Sequence, residues 1–189
     1  TGYTFSGWSG EGVTDTDAAS TTVSMTSDQS VSASFSLNNY TLSLGAVTGG
    51  TVSGGGNYGH GTNANITATP STGYTFSGWS GEGVTDTDAA STTVSMTADR
   101  SASASFTLNN HALTLTAGTG GTVSGGGNYG YGTSASITAT PDTGYSFVGW
   151  SGTGVTDTSA ASTTVSMISD RIVTASFSLI NHTLSLIHI

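Results

Sequence analysis

The sequence predicts an all-β chain: a beads-on-a-string array of tandem small β-modules, each with about six short strands. Three observations lead there. The block Gly-Tyr-Thr-Phe-Ser-Gly-Trp-Ser-Gly starts at Gly2 and Gly73 and returns at Gly144 with Ser146 in place of threonine and Val148 in place of serine, at a constant interval of 71 residues. Between these blocks, apolar and polar residues alternate in short runs, the period of a strand with one buried face. Glycine-rich or proline-ended breaks separate the runs, and no stretch keeps the 3.6-residue apolar stripe of a helix.

In the first complete unit, Tyr40, Leu42 and Leu44 alternate with Thr41 and Ser43 and form a half-buried strand. Gly49-Gly50 is a tight-turn signal, with Thr51-Val52-Ser53 returning as a second strand. Gly54 to Gly59 reads as a loop closed by Gly61. Ala64, Ile66 and Ala68 then alternate with Asn65, Thr67 and Thr69 until Pro70, which has no N–H to donate, ends the strand. The aromatic block follows, and after it a polar loop from Gly81 to Ser91. Val94 and Met96 share one face of the next strand. Asp99-Arg100 is the expected turn before Ala102, Ala104, Phe106 and Leu108, all pointing inward.

Tyr74 and Phe76 are two apart and share a strand face, but Trp79 is three beyond Phe76. A one-residue shift at Gly78, a bulge, brings all three to one side. The expected core is therefore Tyr3, Phe5 and Trp8; Tyr74, Phe76 and Trp79; Tyr145, Phe147 and Trp150; with Phe35, Phe106 and Phe177 from the last strand of each repeat. Exposed tryptophans that stack on sugars are the competing reading. Burial is favoured because each unit has few other large apolar groups to fill its interior.

Residues 1–37 match 72–108 apart from four exchanges, such as Gln29 against Arg100, so the chain opens on the second half of a repeat. Complete repeats are expected at 40–108 and 111–179, and 182–189 starts a further one. Starting at Thr1 in mid-motif, the chain is expected to be a piece of a longer protein. A core of about a dozen apolar side chains, many of them alanine, makes each module marginal alone. With only Asn109-Asn110 between repeats, the array is expected to be semi-rigid.

Of 189 residues, 28 are Gly, 2 Pro and none Cys, and charged residues are only 7%. The net charge is −9, with two arginines against eleven acids, which disfavours nucleic-acid partners. Without cysteine there are no disulfides or thiolate metal sites, and no apolar run is long enough to span a membrane as a helix.

Gly49-Gly50-Thr51-Val52, Gly61-Thr62, Ile66-Thr67-Ala68-Thr69-Pro70, Gly73 to Trp79, Val94-Ser95-Met96 and Ala104-Ser105-Phe106 together resemble the divergent internalin-type B-repeat, a bacterial repeat domain. The resemblance runs repeat by repeat over nearly the whole chain. It implies a secreted or cell-surface bacterial protein whose repeats serve as spacers, stalks or adhesive modules. Better-known internalin B-repeats resemble a β-grasp with a helix on the sheet. No helical pattern follows Trp79, so the expected fold here stays small all-β.

Candidate chemistry is sparse. Gly54-x-Gly56-x-x-Gly59 and Gly125-x-Gly127-x-x-Gly130 match the dinucleotide fingerprint in letters only, since a strand follows where that mechanism needs a helix N-terminus. Asp86-Thr87-Asp88 and Asp15-Thr16-Asp17 offer carboxylates to calcium, but Ser159 replaces the second aspartate in the third copy and six or more oxygens are needed. Asp28, Asp99 and Asp170 recur before the last strand and read as aspartates turning onto their own backbone. Glu82 with Asp86 offers acid–base chemistry on a loop, yet Thr153 replaces Glu82 in the next copy. His60 gives way to Tyr131, and no histidine has a nucleophile and orienting acid in pattern. Tyr58, Tyr129 and Tyr131 on the glycine-rich segment are the aromatics expected to be exposed. Ile168, Ile172 and Ile180 give the third copy a more apolar exterior.

The expected role is therefore a non-catalytic spacer, with no cofactor or metal and with neighbouring repeats as its partners. Adhesion to a cell-wall or host glycan, or to a protein, is the alternative. At the C-terminus, Leu184-Ser185-Leu186-Ile187-His188-Ile189 looks like translated sequencing adapter, so those residues are expected not to belong to the native protein.

Overall fold

The computed structural model describes residues 2–45 and 48–183, and every regular element among them is a strand. The terminal stretch with the adapter-like letters lies outside the described residues. By compactness the chain divides into two units, Thr1–Ser71 with Phe76–Phe106, and Thr72–Thr75 with Thr107–Ile189.

Residues 1–39 contribute β1 (Tyr3–Ser9) and β2 (Ser32–Leu37), an antiparallel pair. The next repeat contributes β3 (Asn39–Leu44), β4 (Gly50–Ser53), β5 (Gly56–Gly59), β6 (Thr62–Pro70), β7 (Tyr74–Ser80), β8 (Ser91–Met96) and β9 (Arg100–Leu108). The last repeats that series as β10 (Asn110–Ala117), β11 (Gly121–Ser124), β12 (Gly127–Gly130), β13 (Thr133–Pro141), β14 (Tyr145–Ser151), β15 (Ser162–Met167) and β16 (Arg171–Leu179).

Each complete repeat forms two sheets. Four strands run in the order β5-β3-β9-β7, and three in the order β4-β6-β8; the counterparts are β12-β10-β16-β14 and β11-β13-β15. The first and last strands of a repeat lie parallel, Leu42 opposite Arg100 and Leu113 opposite Arg171. All other pairs with a defined register are antiparallel. Parallel pairing needs a long crossover, and the whole three-stranded sheet lies within it.

Alternation then sets the core. Leu42, Ala64, Ile66, Ala68, Trp79, Val94, Met96, Ala102 and Ala104, drawn from both sheets, form one buried cluster. Leu113, Ala135, Ile137, Ala139, Trp150, Val165, Met167, Val173 and Ala175 form the other. Alanines contribute little volume to these clusters, so the thin interior is filled by Leu, Ile, Met, Val and Trp. Burying each of these side chains fully contributes about 1.5–3 kcal/mol.

Trp79 and Trp150 are 5% exposed. Phe76, Phe106, Phe147 and Phe177 are half-buried against the clusters, with Phe76–Phe106 and Phe147–Phe177 edge-on at ring-centroid distances of 6.0 Å. A register shift between Phe147 and Gly149, and another between Phe5 and Gly7, marks the bulge that turns phenylalanine and tryptophan to one side.

Four expectations are corrected. Tyr3 and Phe35 are 60% and 61% exposed, while Phe5 and Trp8 are half-buried, because among the described residues no second sheet faces β1 and β2. Tyr74 and Tyr145 are only half-buried and stand outside the two clusters; the Tyr145 ring lies on Gly120. Gly56–Gly59 is a strand rather than a loop, raising the count to seven per complete repeat. Thr51-Val52-Ser53 does not return on β3, since β5 and β9 occupy both of its edges; β4 pairs with β6 instead.

Ile66→Ala is expected to destabilise its unit by about 2–5 kcal/mol through loss of buried methylenes and the cavity left behind. Thr69→Ala, at an exposed outward position of the same strand β6, should cost about 0.5 kcal/mol or less. Denaturant unfolding of both variants checks the contrast.

Candidate functional site

The loop after each tryptophan is the acidic surface segment that the sequence marks out. Its first fastening is a consequence of the bulge: the Trp79 N–H donates to Thr87 O at 2.7 Å, and the Trp8 and Trp150 N–H groups donate to Thr16 O and Thr158 O at 2.8 Å. Val84 bridges Val94, and the Thr85 and Thr93 hydroxyls are 2.9 Å apart. At the turn, Asp86 Oδ1 accepts the N–H groups of Asp88 at 2.9 Å and Ala89 at 3.2 Å. Asp15 does the same for Asp17 and Ala18. In the third copy, Asp157 accepts both the hydroxyl and the N–H of Ser159, which hold its carboxyl below the ordinary value. These carboxylates cap their own loops. Glu82 is ion-paired with Arg100, and Thr153, at the matching position, accepts from Arg171.

The glycine-rich segment differs from its expected exposed-tyrosine form. Tyr58 and Tyr129 are half-buried against the cores, and their hydroxyls donate to Gly54 O and Gly125 O, each at 2.7 Å. Tyr131 is half-buried as well, its ring lying on Gly73. A phenol satisfied by backbone and covered on one side has little face left for a sugar.

Asp99 and Asp170 do not turn onto their own backbone. Asp99 Oδ1 accepts the Thr41 N–H at 2.8 Å, and Asp170 Oδ1 accepts the Ala112 N–H at 2.9 Å. The parallel ladders begin at Leu42 and Leu113, so the carboxylate serves the N–H just before the ladder starts. That long-range clamp depends on strand order, which no local pattern reports. The Ala112 N–H, with the His111 ring 3.3 Å away, holds the Asp170 carboxyl below the ordinary carboxylate value.

Among the described residues there is no cavity and no group of three or more His, Asp or Glu side chains placed to hold a metal. Sequence reasoning also passed over Asn38 and Asn109. Their side chains accept from Thr4 and Thr75 at 2.6 Å, and the signal available was their recurrence one interval apart.

A family model described as the divergent InlB B-repeat domain matches residues 1–39, 40–110 and 111–181, end to end. No curated protein matches the chain, and no solved structure does.

The Asp170 clamp yields a pH dependence. A carboxyl held low in the folded state contributes stability above its unfolded value, about 3.9, and loses it as pH falls through the folded value. The stability gap between the parent and Asp170→Ala should be full near neutrality and close below about pH 4 in denaturant titrations. Because the loop carboxylates already accept backbone donors, millimolar calcium should move the melting midpoint by less than about 1 °C.

Proposed function

This chain belongs to the divergent InlB B-repeat family, and from that membership we propose that it forms non-catalytic spacer or stalk repeats of a bacterial surface or secreted protein. The working modules are 40–108 and 111–179, with 1–37 supplying half of another. One observation carries the reading: the aromatic and acidic groups that chemistry or recognition would call on are turned to the repeat's own structure. Tyr58 and Tyr129 bind backbone carbonyls, the loop aspartates cap turns, Asp99 and Asp170 clamp strands, and Glu82 neutralises Arg100. A surface of Ser, Thr, Asn and Gly with few charges keeps such an array soluble outside a cell and presents little to bind.

Adhesion has one observation in its favour. The third repeat exposes Val148, Ile168 and Ile172, the last at 71%. If they form one contiguous patch, that patch is the kind of exposed apolar surface that marks a contact site.

The full chain on glycan and host-protein arrays separates the two readings. A spacer gives no saturable signal at micromolar concentration. A saturable signal that Ile172→Ser lowers about tenfold or more supports adhesion by the third repeat instead.

A further inference from the structure

The end of each repeat has a surface built for one occupant. Gly2 and Gly73 occupy matching positions one interval apart, each in the left-handed region with φ +87° and +83°. An aromatic ring lies directly on each: His60 on Gly2, and Tyr131 on Gly73. A Cβ at either glycine would enter that ring. In both cases the ring comes from the repeat that follows, from a turn with glycine on either side, Gly59-His60-Gly61 or Gly130-Tyr131-Gly132.

The backbone repeats the arrangement. The Asn38 N–H donates to Gly2 O, and the His60 N–H donates to Asn38 O, both at 2.8 Å. Likewise the Asn109 N–H donates to Gly73 O, and the Tyr131 N–H to Asn109 O, again at 2.8 Å. A leucine closes the side of each contact: a methyl on Gly59 would stand 2.7 Å from Leu37 Cδ2, and one on Gly130 the same distance from Leu108 Cδ2. The ring is also backed by the first-strand aromatic of its own repeat. Tyr40 lies 5.8 Å from His60, and His111 lies 6.1 Å from Tyr131, centroid to centroid.

Each contact falls inside a compact unit. The first is within Thr1–Ser71; the second lies between Thr72–Thr75 and Thr107–Ile189, which group together although Thr72–Thr75 belongs in sequence to the preceding repeat.

We infer that the glycine and leucine at the end of each repeat form a docking socket for the Gly–aromatic–Gly turn of the repeat that follows. The partner is thus another copy of the same module, recognised by a flat ring on a side-chain-free backbone and by two backbone hydrogen bonds through the intervening asparagine. Only glycine admits the ring, and only a flanking glycine accommodates the leucine. The third socket is the internal comparison. Gly144 has φ +86° and accepts the Ile180 N–H at 2.7 Å, yet no other described atom lies within 4 Å of its would-be Cβ, and Leu179 is 59% exposed. The inference does not rest on the spacer reading; it holds equally for an adhesive array.

The full chain tests it. Gly73→Ala and Gly144→Ala impose the same backbone strain, but only the first drives a methyl into a ring. Gly73→Ala should lower the denaturant midpoint at least about twice as far as Gly144→Ala, and the excess should vanish in a Tyr131→Ala background. Equal losses at the two glycines, or an excess that survives removal of the ring, would overturn the socket. Should Gly73→Ala fail to fold, Tyr131→Ala alone decides. Amide exchange at Asn109 should quicken about tenfold or more while that at Ile180 stays unchanged; an unaltered Asn109 rate overturns the inference.

Discussion

A strand can place residues two apart on one face, yet this module needs phenylalanine and tryptophan three apart on the same face. The break in period at Gly7 and Gly149 resolves that conflict, and much else follows from it. Because the bulge frees the tryptophan N–H from the ladder, that N–H fastens the acidic loop to the sheet through Thr16, Thr87 or Thr158. The indole meanwhile covers alanines of the adjacent strand, Trp150 facing Ala175. One irregularity thereby supplies the largest buried side chain and the loop's anchor.

A small core leaves little margin for unsatisfied polar groups. Among the described residues the Trp79 indole N–H and His60 Nδ1 are buried without a partner, but other side chains near the backbone are used to satisfy it. An unpaired buried amide costs about 1–3 kcal/mol, a large part of what a module this size has. The aspartate before the last strand spends its carboxylate on the N–H that precedes the parallel ladder. The tyrosine of the glycine-rich segment spends its hydroxyl on a backbone carbonyl four residues earlier. Economy of this kind supports a structural role: side chains that hold the fold are not free to meet a ligand.

The grouping of Thr72–Thr75 with the following repeat shows that the sequence period and the packing unit are out of phase. At Gly2 and at Gly73 a ring of the following repeat lies on the glycine, the condition under which nearest-neighbour coupling adds to a module's own stability. The exchange of Tyr40 and His60 for His111 and Tyr131 keeps one phenol and one imidazole in each ring pair while reversing their positions.

What the sequence determined alone is whatever is local or periodic. The 71-residue interval, the strands from Ala64 to Pro70 and from Ala102 to Leu108, the inward faces of Ile66, Val94 and Met96, and the bulge were all legible, because alternation and glycine placement act between near neighbours. Tertiary structure decided what depends on partners far along the chain. Gly56–Gly59 became a strand because the edge of β3 was open to it, although its four residues carry no alternation of their own. Asp99 found Thr41, 58 residues away, because β3 and β9 pair in parallel. Tyr3 and Phe35 carry the same letters as half-buried counterparts in the complete repeats, yet they are exposed. Burial belongs to the facing sheet and not to the residue, and among the described residues no second sheet packs on β1 and β2.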